Sequence, residues 1–153
     1  MTRRYPQHPM VGVGATLLRG EQVLLVQRGR EPAYGKWSLP GGLVELGESL
    51  QAAICREVLE ETNLTVHVVD VVAVLDRVLP DVAGQVEYHY VLIDFLCRGD
   101  AGEPSAGSDV LACEFVPVAD LDHRSLTSGT RDVVQKAVEM VRGNYPRIYD
   151  REL

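Results

Sequence analysis

Residues 41–64 of the chain read GGLVELGESLQAAICREVLEETNL, and this stretch concentrates acidic residues on a predicted helix. Glu57, Glu60 and Glu61 occupy positions i, i+3 and i+4, which share one face of a helix. Like charges so spaced repel one another, and they lie near the negative pole of the helix dipole. The pattern indicates a site for a hard divalent cation, which takes oxygen ligands. A solvated acidic helix face is the alternative.

Two neighbouring features favour the cation site over the solvated face. Pro40-Gly41-Gly42 precedes the helix and predicts a turn whose glycines let the backbone approach a ligand closely. Arg56 lies beside the acids and is spaced to pair with Glu60 at i, i+4. We therefore predict a metal site built on this helix.

The spacing of these residues also carries a resemblance to a known family. Five residues separate Gly42 from Glu48, and seven more precede Arg56-Glu57. This arrangement resembles the Nudix box, G-x5-E-x7-R-E-U-x-E-E-x-G-U, in which U is a bulky aliphatic residue. The final glycine is replaced by Asn63, the commonest substitute for glycine in the left-handed conformation that ends a helix. The lead-in Trp37-Ser38-Leu39-Pro40 extends the resemblance beyond the box, which spans residues 42–64.

The resemblance implies an enzyme that hydrolyses a nucleoside diphosphate linked to another moiety, with Mg²⁺ as the cation and Mn²⁺ as a possible substitute. It also implies a set of metal ligands, which are Glu57, Glu60, Glu61 and the carbonyl of Gly41. Glu48 would act through a water molecule or through the other ligands. Arg56 is interpreted as a positioning partner of these carboxylates. The base that takes the proton from the attacking water is Glu57 or an acid outside the box. Glu114, in an otherwise apolar predicted strand, is the external candidate, with an outward-facing strand residue as the alternative.

Three further side chains are candidates for contacts with the substrate. Arg28 and Arg30 lie upstream of the box, and guanidinium groups bind phosphate oxygens in a bidentate manner. Solvated loop arginines are the alternative. Tyr88 and Tyr90 point to the same side of a predicted strand, so one is expected in the core and the other at the rim of a pocket. Tyr88 is retained as the candidate for substrate binding.

The composition excludes several classes of protein. The chain has 153 residues, which fit one domain over residues 1–153, and a net charge of −7, which argues against a nucleic-acid partner. No apolar run is long enough to cross a membrane, and the basic N-terminus lacks the apolar stretch of a signal peptide, so a cytoplasmic location is expected. The three cysteines have no zinc-ligand spacing and are interpreted as free thiols.

Hydrophobic periodicity predicts five strands and two helices in a mixed order. This order, together with the resemblance, implies an α/β fold of the α+β type, a Nudix-type α/β/α sandwich around a mixed β-sheet. Gly12-Val13-Gly14 is interpreted as close strand packing because no helix follows it, as a phosphate loop would require. The predicted strands cover residues 10–18, 21–27, 64–79, 86–96 and 111–118, and the helices cover residues 49–62 and 129–142.

Residues downstream of the box bear on the choice of substrate. Pro80 stands downstream of the box at a position similar to a marker of ADP-ribose pyrophosphatases. The overall sequence pattern of the chain also resembles that group. ADP-ribose or a related nucleoside diphosphate sugar is therefore the first expectation. The alternatives are a pyrophosphohydrolase that sanitises modified (d)NTPs and, third, a non-catalytic nucleotide sensor. A homodimer is a further hypothesis, with the N-terminal arm and the tail NYPRIYDREL at the interface.

Overall fold

The structure is a computed structural model that describes residues 2–143. Within that range the chain forms seven strands, two α-helices and one 3-10 helix. In chain order these are β1 (Met10–Arg19), β2 (Gln22–Gln27), β3 (Trp37–Ser38), β4 (Gly41–Leu43), α1 (Leu50–Thr62), β5 (Val66–Pro80), β6 (Val86–Gly99), β7 (Ala112–Pro117), the 3-10 helix (Val118–His123) and α2 (Thr130–Val141). The predicted tail at residues 144–153 lies outside the described residues.

The strands form one mixed sheet in the order β3-β2-β1-β6-β5. β1 and β6 run parallel, with Met10 opposite Tyr90 and Leu17 opposite Cys97. The other pairings are antiparallel, including β4 on β1 and β7 on β2. The predicted mixed sheet is therefore confirmed.

The two helices pack against opposite faces of this sheet, because side chains alternate in direction along each strand. On β2, Leu24 belongs to the cluster that packs against Ile54 and Val58 of α1. Its neighbours Val23 and Leu25 belong to a cluster with Val134 of α2. The predicted α/β/α sandwich is confirmed by this arrangement.

Both ends of α1 are fixed by local bonds. At its start, the hydroxyl of Ser49 accepts a hydrogen bond of 3.1 Å from the amide of Ala52. At its end, Asn63 takes the left-handed conformation with φ of 60°, as the sequence predicts. The Asn63 amide also donates a 2.8 Å bond to the carbonyl of Ser105. The helix that carries the acids is thus anchored at its C-terminal end to the loop after β6.

The glycines before α1 form a strand and not the predicted turn. Gly41 pairs with Gly14 and Gly42 with Val13 in an antiparallel register. A side chain at Gly41 would place its Cβ only 2.0 Å from the carbonyl oxygen of Val13, so the two strands approach closely only with glycine there. The prediction of close strand packing at Gly12 and Gly14 is confirmed, because a Cβ at Gly12 would lie 2.8 Å from Leu92.

The N-terminal arm lies along the hairpin formed by β5 and β6. The amide of Tyr5 donates a 2.7 Å bond to the carbonyl of Glu87, and its hydroxyl donates to Asp81 at 2.8 Å. Arg4 pairs with Glu87 at 2.7 Å. In the described part of the chain, no helix is both long and apolar enough to cross a membrane.

Candidate active site

Two adjoining cavities open beside strand β4. The first has a volume of about 220 Å³ and is lined by the acids of α1, and we call it the acidic cavity. The second has a volume of about 440 Å³, and its walls include the apolar side chains of Leu43, Leu75, Leu79, Tyr90 and Leu92, so we call it the apolar cavity. The residues that line both are Arg3, Arg28, Ser38, Leu39, Gly41 and Gly42. A ligand can therefore extend from one cavity into the other.

The predicted acids of α1 meet in the acidic cavity. Glu57, Glu60 and Glu61 all line it, together with Gly41 and Gly42 of strand β4. A Cβ at Gly42 would lie 2.4 Å from the carboxyl carbon of Glu57, so this carboxylate occupies the space that the missing side chain leaves. One oxygen of Glu61 accepts a 2.7 Å hydrogen bond from the amide of Gly41.

Arg56 connects the acids to one another and to the backbone. Its Nε donates to Glu48 at 2.7 Å, and its Nη1 donates to Glu57 at 2.7 Å. Glu60 lies at 3.4 Å, so the predicted i, i+4 pair forms. A further bond of 3.1 Å reaches the carbonyl of Leu43. This geometry suits the predicted positioning role, and the hydrogen bond from Arg56 lowers the pKa of Glu48 to about 2.

Burial disfavours the charged forms of two of these acids. Burial raises the pKa of Glu61 to about 8, because it outweighs the hydrogen bond from Gly41. Burial also raises the pKa of Glu57, against the opposing effect of Arg56. Glu57 further raises the pKa of Glu61 by repulsion. Two partly desolvated carboxylates side by side would be stabilised in their charged forms by a cation between them.

The donor chemistry fits Mg²⁺ or Mn²⁺, but the ligands are not assembled. Among residues 2–143, no three His, Cys, Asp or Glu side chains converge closely enough to hold a metal ion. Glu57 and Glu60 accept hydrogen bonds from Arg56, and Glu61 accepts from Gly41. The atoms that these residues would offer to a metal ion are all oxygens, which hard cations prefer as ligands. Ligation would require these hydrogen bonds to rearrange.

Cationic side chains face the acids across the acidic cavity. The predicted Arg28 and Arg30 both line it, and Arg28 also reaches the apolar cavity. The Nε of Arg28 donates a 2.8 Å bond to the carbonyl of Pro32, which orients the guanidinium. Arg30 forms an ion pair with Asp109. The structure thus places both arginines where the oxygens of a diphosphate could meet them.

Two predicted residues do not join this group. Glu114 lines neither of the two cavities, and its carboxylate pairs with Arg124, whose guanidinium lies 4.6 Å from the centre of the Trp37 ring. Tyr88 stacks on Tyr90 with ring centres 6.2 Å apart, but Tyr90 is the residue that lines the apolar cavity. The sequence pattern identified the correct face of β6 but not which tyrosine reaches the cavity.

Two residues of the site were not predicted. Arg3 lines both cavities because the N-terminal arm folds back over the hairpin, and no sequence pattern indicates such a path. Asp94 is only 8% exposed and lines the apolar cavity. It lies in the apolar run VLIDFL, the same signal that singled out Glu114, so the sequence did contain an indication of it.

Comparisons with known proteins identify the family and the fold of this chain. The family model of the NUDIX domain matches residues 8–137. The chain is 33% identical over 124 residues to an ADP-ribose pyrophosphatase of Methanocaldococcus jannaschii, covering 78% of this chain and 71% of that protein. It is also 33% identical over 142 residues to a Mycobacterium tuberculosis protein named provisionally as 8-oxo-dGTP diphosphatase 2, covering 91% and 95%. The structure of a MutT NUDIX hydrolase from Burkholderia pseudomallei superimposes with a TM-score of 0.74 at 31% identity, covering 85% and 98%.

Proposed function

Since this chain belongs to the NUDIX domain family and is a Nudix hydrolase, we propose that it cleaves a nucleoside diphosphate linked to another moiety, with ADP-ribose or a related nucleoside diphosphate sugar as the first choice of substrate. The products would be a nucleoside monophosphate and a phosphorylated second product. The observation that carries the proposal is that the acids Glu57, Glu60 and Glu61 and the arginines Arg28 and Arg30 line one cavity.

The side chains of the acidic cavity have distinct parts in this reaction. Glu57, Glu60, Glu61 and the Gly41 carbonyl would hold Mg²⁺ or Mn²⁺, with Glu48 in a supporting position. A bound divalent cation offsets the charge of the diphosphate and makes a bound water more acidic. Arg28 and Arg30 would bind phosphate oxygens opposite the acids.

Proton transfer is assigned to an acid within the cavity. Glu57 lines the acidic cavity, and burial raises its pKa, which suits a group that takes a proton. Arg56 holds the Glu57 carboxylate at 2.7 Å and fixes its orientation. Glu114 is the weaker candidate because it pairs with Arg124 and lines neither cavity.

A second candidate function is the removal of pyrophosphate from a modified (d)NTP. The observation that favours it is the match to the mycobacterial protein named for 8-oxo-dGTP, which spans 95% of that protein. Both functions use the same acids and differ in their products. A non-catalytic sensor is not favoured, because every acid of the box is present, and Glu57, Glu60 and Glu61 line the cavity.

Chromatographic analysis of products separates the two functions. Purified protein is incubated with ADP-ribose, NADH, a sugar nucleotide and several (d)NTPs, in Mg²⁺ and in EDTA. The proposal expects AMP and ribose 5-phosphate chiefly from ADP-ribose, in Mg²⁺ only. Monophosphate and pyrophosphate from a triphosphate would establish the second candidate. Turnover that persists in EDTA would contradict both.

A further inference from the structure

Asp94 lies in the wall of the apolar cavity, away from the acids of α1. It sits on β6 directly opposite Gly14 of β1. A Cβ at position 14 would lie 2.2 Å from the Oδ1 of Asp94, so the glycine leaves the space that this carboxylate occupies. The side chain is nearly buried yet lines the cavity, and therefore faces whatever enters there.

The carboxylate of Asp94 has no hydrogen-bond or ion-pair partner among residues 2–143. Its burial raises the pKa to about 6, and the charge of Arg77 opposes this shift only in part. The guanidinium of Arg77 is engaged elsewhere, since it donates a 2.6 Å bond to the carbonyl of Ser128. Buried polar groups in folded proteins are almost always paired. An unpaired carboxylate facing a cavity is therefore suited to a partner supplied by a ligand.

Apolar side chains form much of the wall of the apolar cavity around Asp94. Its walls include Leu75, Leu79, Leu92 and Tyr90, which form surfaces suited to a flat or apolar group. The hydroxyls of Thr127 and Thr130 lie 2.6 Å apart and bond to each other. A ligand in this cavity would thus meet apolar walls, cationic side chains and the acceptor oxygens of Asp94. The cationic side chains are those of Arg3, Arg28, Lys36 and Arg77.

We propose that Asp94 accepts two adjacent hydrogen-bond donors from the group of the substrate that enters the apolar cavity, and so determines which nucleotides are cleaved. The inference rests on the proposed function, which places the diphosphate in the adjoining acidic cavity. The two cavities share Arg28, Gly41 and Gly42, so a group attached to that diphosphate would extend into the cavity that Asp94 lines.

Two parts of the proposed substrates carry such a donor pair. A guanine-type base presents a ring N–H beside an amino group, and a ribose presents the two hydroxyls of its cis-diol. An adenine edge alternates donor and acceptor, so its ring nitrogen would direct a lone pair at the carboxylate. With ADP-ribose, the terminal ribose and not the adenine would therefore face Asp94.

The test compares Asp94→Asn with wild type on two matched substrate pairs in Mg²⁺. GTP and ITP differ by the amino group of the base, and ADP-ribose and its analogue with a 2-deoxy terminal ribose differ by one hydroxyl. Loss of a hydrogen bond to a charged group reduces kcat/KM by about tenfold or more. We expect one pair to show this ratio in wild type and a ratio near one in Asp94→Asn. Asp76→Asn is the matched control, because Asp76 is exposed on the neighbouring strand and lines neither cavity.

Each outcome decides the proposal. Collapse of the GTP to ITP ratio assigns Asp94 to a base, and collapse of the ADP-ribose ratio assigns it to the terminal ribose. Ratios that Asp94→Asn leaves unchanged, or an equal loss on all four substrates, overturn it. Gly14→Ala displaces the same carboxylate without removing it and serves as a second variant if Asp94→Asn does not fold. If wild type cleaves none of the four, ADP-ribose is excluded as the substrate, and equilibrium binding of the same nucleotides in Ca²⁺ supplies the ratios instead.

Discussion

At the scale of single residues, the acidic cavity depends on carboxylates that would be unfavourable without a cation. Glu61 is buried, and the charge of Glu57 adds to the rise in the pKa of Glu61 that burial causes. Arg56 compensates only part of this arrangement, since it bonds Glu48 and Glu57 but no bond from it to Glu61 is formed. The residues are therefore organised for binding a cation and not for maximal stability of the helix.

Replacing either buried acid with its amide tests this account. We expect Glu57→Gln and Glu61→Gln each to reduce kcat by about a hundredfold or more, because an oxygen ligand of the cation is lost. Thermal unfolding should change little, since the amide has the same shape and lacks the buried charge. Steady-state kinetics and calorimetry measure the two effects. Glu103→Gln, at an exposed loop position, is the control. Near-normal turnover in either variant would contradict the assignment of that acid.

At the scale of the element, strand β4 is what places the acids. It holds Gly41 against β1 on one side and leaves room for the Glu57 carboxylate at Gly42 on the other. The two glycines are adjacent in sequence, yet their missing side chains serve different purposes. One permits the strand pairing, and the other accommodates the carboxylate.

Two alanine substitutions separate these purposes. In Gly41→Ala the new Cβ meets the backbone of Val13 at 2.0 Å, so we expect a loss of stability of about 1–3 kcal/mol. In Gly42→Ala it meets only the end of the Glu57 side chain, which can rotate away. We expect Gly42→Ala to fold with a Tm close to wild type but to lose most activity. Denaturant unfolding and kinetics on both proteins check this, and equal losses of stability would refute the distinction.

The helices and strands show which parts of the fold can be predicted from the sequence. The ends of α1 and α2, the long strands and the role of Asn63 follow from periodicity and capping, which are local signals. The short strands β3 and β4 were not predicted, because their form depends on pairing with distant strands. The acids of the box were predicted from their spacing. Arg3 and the partnership of Glu114 with Arg124 were not, because they depend on how loops and the arm fold over the sheet.

At the scale of the whole molecule, cation binding should be coupled to pH and stability. The folded pKa of Glu61 is about 8, above its ordinary value of 4.5, so the folded protein holds a proton that the unfolded chain releases. The contribution of Glu61 to the free energy of unfolding is largest below pH 4.5 and is lost as the pH rises through 8. Above that pH the carboxylate is charged and buried, and a bound cation would stabilise this charged form.

We therefore expect the rise in Tm caused by Mg²⁺ to grow between pH 6 and pH 8. Differential scanning calorimetry at fixed Mg²⁺ measures this rise, with Ca²⁺ as a second hard cation. In Glu61→Gln the rise should be smaller and nearly independent of pH. An equal rise at both pH values in wild type would show that cation binding does not involve deprotonation of Glu61.

The assembly state also belongs to this scale. A homodimer through the N-terminal arm remains a prediction, and the described part of that arm bonds to its own β5–β6 hairpin. Light scattering at micromolar protein decides it. A mass near 16.9 kDa would exclude the dimer under those conditions.

The central claim is that the carboxylates of α1 bind a divalent cation, and calorimetric titration of Mn²⁺ tests it most directly. We predict saturable binding to wild type at pH 8, with affinity about tenfold or more weaker in Glu61→Gln and unchanged in Glu103→Gln. Mn²⁺ binding of equal affinity in wild type and Glu61→Gln, or no binding to wild type, would contradict the claim.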